Sequence, residues 1–115
     1  MSLRIKEKTM SSKEKEVLRR IREVAHQSVP RGGRVLLYGS RARGDAREGS
    51  DWDLLILLDK PKLMAEDYDV TYPFRELGWD MNEEISPHIY TQKQWNEWTF
   101  LPYVKNVERD KIELL

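Results

Sequence analysis

The sequence contains no cysteine. That excludes disulfides, cysteine-based zinc sites and thiol catalysis, and it fits a reducing compartment. Histidine is nearly absent: only His26 and His88 occur, too few to expect a histidine-based metal site. Long hydrophobic runs are missing too. The longest is Leu54 to Leu58, far short of the ~20 apolar residues that span a bilayer. No charge of one sign dominates. Twenty Lys and Arg balance 20 Asp and Glu, which argues against bulk nucleic-acid binding. The first residues are charged, so no secretory signal is expected. The expectation is a soluble, cytoplasmic chain without a membrane partner.

What is present fits one small domain. The chain has 115 residues, 39% hydrophobic and 35% charged, enough for one core and not for two. A single domain over 1–115 is expected, with its core at about 11–99. Residues 11–29 read as an amphipathic helix, capped by Ser11 or Ser12 with Glu14 in the first turn. Val17, Ile21, Val24 and Ser28 share its apolar face, and Pro30 with Gly32-Gly33 ends it. Arg34–Tyr38 reads as a buried strand, Ser40–Arg43 as a short helix stopped by Gly44, and Asp51–Leu58 as a strand covered on both faces. One or two helices fit 62–78, interrupted by Pro73 and ended by Gly78. Glu84–Thr91 alternates like a strand, with Ile85 and Ile89 on one face and Glu84, Ser86, His88 and Tyr90 on the other. Gln92–Thr99 reads as a helix, and the tail beyond Pro102 as short and charged.

The chemistry concentrates in "LLYGSRARGDAREGSDWDLLILL", Leu36 to Leu58. Strand alternation puts Asp51 and Asp53 on one face, their Cα atoms about 6.5–7 Å apart. Two carboxylates so placed repel unless a cation lies near, and oxygen ligands suit Mg²⁺ or Mn²⁺. Just upstream, Gly39 permits close backbone approach. Ser40 stands at a helix start, where free N–H groups favour phosphate. Arg41 and Arg43 can add charge-assisted hydrogen bonds. An anion binder beside cation ligands describes a metal–triphosphate site.

"GSRARG…SDWDLLI", Gly39–Gly44 then Ser50–Ile56, resembles the signature of the minimal nucleotidyltransferases, the small branch of the DNA polymerase β-like superfamily. The resemblance implies an α/β (α+β) fold, a small mixed sheet with helices packed against it. It implies ATP or another NTP as donor and two divalent metals. Gly39, Ser40, Arg41, Arg43 and Ser50 become the expected nucleotide-binding residues, and Asp51 and Asp53 the metal ligands. The family's third carboxylate usually lies on the next core strand. Here that stretch is "EEISPHIYT". Glu84 is the expected third catalytic carboxylate; His88 in that role, or no third ligand, are the alternatives.

The chain has no room for the helical acceptor-binding region of larger relatives. The resemblance therefore implies a second chain, a small helical HEPN-type protein whose tyrosine receives AMP, in a toxin–antitoxin pair. A catalytically inactive nucleotide- or partner-binding module and a transferase for a small acceptor such as an aminoglycoside are the other readings. A homo-oligomer is also open. Trp79, Trp95, Trp98 and Phe100 are expected to pack in the core or at its edge, and whatever part of them is exposed is the place to look for a protein interface.

Overall fold

Ser11 begins the first helix as the sequence indicates. Its hydroxyl accepts from the Glu14 amide, and the Glu14 carboxylate accepts from the Ser11 amide, a reciprocal cap. The computed structural model describes residues 9–115; the charged start on which the missing secretory signal rests lies outside the described residues. Helix α1 spans Ser12–Ser28 and buries Val17, Leu18, Ile21 and Ala25. Strand β1 (Arg34–Tyr38), helix α2 (Ser40–Arg43) and strand β2 (Trp52–Leu58) follow. A 3₁₀ helix (Ala65–Thr71) leads into α3 (Tyr72–Met81), then β3 (Ile85–Thr91), α4 (Gln92–Glu97), α5 (Pro102–Asp110) and β4 (Ile112–Glu113).

The four strands form one mixed sheet in the order β3-β2-β1-β4. β1 runs antiparallel to β2 and β4, and β2 runs parallel to β3. Alternation along the strands makes two cores. One face places Val35, Leu37, Leu54, Ile56 and Ile112 under α1 and α3. The other places Leu36, Leu55 and Leu57 under Trp95 of α4 and Val104 and Val107 of α5. Helices on both faces explain why β2 is apolar almost throughout.

Three expectations change. Pro73 stands in the first turn of α3, where its missing N–H costs nothing, so it starts the helix instead of interrupting it. Gly78 lies inside α3 and does not end it. A Cβ there would lie 2.7 Å from the Glu83 carbonyl oxygen, so glycine lets the chain fold back closely; Asn82, left-handed at φ 55°, ends the helix. Beyond Pro102 the chain is folded, not a charged tail. Val104 and Val107 anchor α5 on the sheet, and Ile112 and Leu114 join the core. A fully buried Ile or Leu contributes about 1.5–3 kcal/mol, which holds a two-residue strand against β1. Among the described residues no helix is long and apolar enough to cross a membrane.

Candidate active site

The end of β1 and the start of β2 set the site. Tyr38 pairs with Asp53 across the antiparallel ladder, and Ser86 pairs with Asp53 from the parallel side. Directly paired residues share a face, so Tyr38, Asp53, Ser86 and, two residues on, His88 look out on the same side. Asp51 sits just before β2, one residue outside the strand, and is exposed.

Gly39 carries φ 76° and ψ −160°, a region only glycine adopts freely. A Cβ on Gly39 would lie 2.5 Å from Asp53 Oδ2. The turn and the carboxylate are therefore in van der Waals contact, and α2 begins at Ser40 beside them. Burial raises the Asp53 pKa, and the negative charge of Asp51 raises it further; His88 and Arg43 pull it down. The ionised form of Asp53 is therefore disfavoured relative to a free aspartate. That frustration is what a bound cation relieves.

Arg41 is buried, at 6% exposure. Its guanidinium donates to Glu14 at 3.0 Å and twice to the Ser50 carbonyl, at 3.0 and 3.3 Å. It also lies 3.7 Å from Glu83 and 4.8 Å from the centre of the Trp52 ring. Three of its five N–H donors are bonded within the fold. Arg41 thus fixes the loop that presents Asp51 by holding its neighbour, Ser50. The Ser50 hydroxyl accepts from the Arg47 amide at 2.9 Å and closes the same loop.

Arg43 remains half-exposed and pairs with Asp45 at 3.3 Å and with Asp110 of α5 at 3.2 Å. Its charge reaches Asp53. Glu84 lies beside the start of β2, its carbonyl accepting from the Trp52 amide at 2.8 Å. It precedes β3, is exposed, and lines a cleft with Arg75 and Trp79. Among the described residues no three His, Asp or Glu side chains come together as a metal site. Asp51 and Asp53 are the oxygen donors that suit a hard divalent cation, and among the described residues no third carboxylate gathers with them. His88 occupies that flank.

One feature had no sequence signal. The hydroxyls of Tyr38 and Tyr103 share a 2.9 Å hydrogen bond, and their rings meet edge to face at 5.8 Å. Burial, above all, raises both pKa values. Tyr103 belongs to α5, and only strand register and the unexpected helix bring it to Asp53.

The family model described as a nucleotidyltransferase domain matches residues 18–114, and the chain belongs to that family. A solved structure described as "Crystal structure of the toxin-antitoxin with AMP-PNP" is similar in fold, with a TM-score of 0.58 and 14% identity. The alignment covers 85% of this chain and 72% of that one. No curated protein matches the sequence. The mixed sheet with flanking helices and the family match agree with the resemblance read from Gly39–Ile56.

Proposed function

We propose that the chain transfers AMP from ATP to a hydroxyl of a partner protein. The observation that carries this reading is the contact between Gly39 and the Asp53 carboxylate. It sets a phosphate-accepting turn against a pair of cation-seeking acids. Asp51 and Asp53 hold a divalent cation, Mg²⁺ or Mn²⁺, which neutralises phosphate charge when bound. Gly39 and Ser40 take the β- and γ-phosphates, and Arg43 adds positive charge. The acceptor oxygen bonds to the α-phosphorus as the bond to pyrophosphate breaks.

The partner in this reading is a small helical HEPN-type protein, with this chain as its antitoxin. The similar fold in a structure described as a toxin–antitoxin with AMP-PNP supports it. The missing third carboxylate favours a second reading, in which the chain binds ATP and its partner and acts by contact alone. The two part in one experiment. ATP labelled at the α- or the γ-phosphate is incubated with the chain, Mg²⁺ and an extract of the cells that encode it. Transfer predicts α-label but no γ-label on a protein, and none with Asp53→Asn. Binding of ATP without α-label on any protein leaves the contact reading.

A further inference from the structure

Four of the exposed large apolar side chains fall on one short segment. Met64 is 50% exposed, Tyr68 and Tyr72 53%, and Trp79 68%. Tyr72 and Trp79 stand two turns apart on the outer face of α3, and their rings meet edge to face at 5.9 Å. The opposite face of α3 buries Phe74 and Leu77, so the core does not require these rings. Exposed aromatics grouped this way mark interaction surfaces.

The surroundings say what kind. Residues 64–84 carry seven carboxylates and one cation, Arg75. Glu66, Asp69, Glu76, Asp80 and Glu84 are exposed, and none of the five pairs with a cation among the described residues. Such a field repels nucleic acid and anionic lipid. It equally opposes a two-fold dimer through this face, which would set the same carboxylates against each other. Strand addition is also disfavoured, because β3 is the sheet edge and Pro87 removes an N–H from it. What fits is a protein surface with Lys or Arg, whose stems cover the rings and whose charges meet the acids.

The helix α3 covers the sheet face opposite Asp53, and a groove passes round the edge strand between the two faces. The groove, of ≈ 330 Å³, lies between the 3₁₀ helix and β3, lined by Tyr68, Thr71, Arg75, Pro87, His88 and Tyr90. His88, exposed on the same sheet face as Asp53, is the lining residue nearest in register to it on that face. We propose that the outer face of the 3₁₀ helix and α3 is the docking surface for the acceptor protein, and that the acceptor meets it with basic side chains. The proposal rests on the protein-acceptor reading above.

The test uses the full chain, α-labelled ATP, Mg²⁺ and the same cell extract. Two variants are compared with wild type: Tyr72→Ser/Trp79→Ser, and Glu76→Lys/Asp80→Lys. All four positions are exposed and outside the carboxylate site. The expected result is labelling of the acceptor reduced about tenfold or more in both, with calorimetric ATP–Mg²⁺ affinity unchanged. Equal labelling by wild type and both variants overturns the docking surface and leaves the transfer reading standing. A wild type that binds ATP–Mg²⁺ yet labels no protein overturns the protein-acceptor reading, and the docking surface with it. Sedimentation showing a wild-type dimer that these variants dissociate overturns the proposal in favour of a contact between copies.

Discussion

Gly39 lies against Asp53 so closely that a single added methyl carbon would come within 2.5 Å of its carboxylate oxygen. The Gly-Ser turn and the start of β2 are one packed unit, and the backbone at Gly39 is one that side chains resist. Gly39→Ala therefore strains the turn and pushes Asp53 aside together. The expected cost is about 1–3 kcal/mol of stability, read by urea denaturation, with ATP–Mg²⁺ binding abolished. Normal binding in a stable variant would show that the contact is incidental.

The two arginines of the motif divide their work. Arg41→Lys keeps the charge and loses the fork that holds Glu14, the Ser50 carbonyl and the Trp52 face. Leaving those buried acceptors without their donors costs about 1–3 kcal/mol. Arg43→Gln removes a half-exposed pair worth about 0–1 kcal/mol, and its expected effect is on ATP–Mg²⁺ affinity. Denaturation and calorimetry on both variants check the split. A stable Arg41→Lys protein that fails to bind ATP would return Arg41 to the phosphate.

Acid should unfold the protein from a defined set of groups. Burial raises the pKa of Glu14, but the Ser11 amide and Arg41 outweigh it, so the net shift is downward. Burial of Glu83 is likewise outweighed by Trp52 and Lys13, and hydrogen bonds from Arg109 and Arg43 lower Asp110. A lowered carboxylate contributes stability above its unfolded value and loses it as pH falls through the folded one. The loss begins near 4.5 for the glutamates and 3.8 for Asp110. Asp53 has the opposite sign: raised on folding, it destabilises above its folded pKa and costs nothing below 3.8. Asp53→Asn is therefore expected to raise Tm at about pH 7 and to leave it unchanged at about pH 3. Tm against pH for both proteins checks this.

The last strand is expected to matter more than its length implies. Ile112→Ala removes a side chain only 1% exposed from beneath the sheet, at an expected cost of about 2–5 kcal/mol. Thermal unfolding checks it. A change below about 0.5 kcal/mol, the size of a surface substitution, would mean that the end of the chain is not part of the core.

The first half of the fold was legible because its signals are local. The Ser11–Glu14 cap, the Gly44 stop and the apolar run of β2 each declare an element within a few residues. The Gly-Ser turn and the two aspartates declared the family the same way. What was not legible depends on contacts distant in sequence. Arg41 and Arg43 look alike in a row of residues; only the fold buries one among Glu14, Ser50 and Trp52 and leaves the other near Asp53. Glu84 alternates correctly with Ile85 and falls just outside the strand, where it lines a cleft with Arg75 and Trp79. Two valines three residues apart were too little pattern to reveal α5, and with it Tyr103. Trp79 read as core by its size, whereas the periodicity of α3 turns it outward.

The most direct test is calorimetric titration of ATP with Mg²⁺ into wild type and into Asp51→Asn/Asp53→Asn. The expected result is saturable, Mg²⁺-dependent binding by wild type and none by the double variant, with both proteins folded. Binding that is absent from wild type, even with Mn²⁺, or unchanged in the variant, would contradict the metal–triphosphate site at its centre.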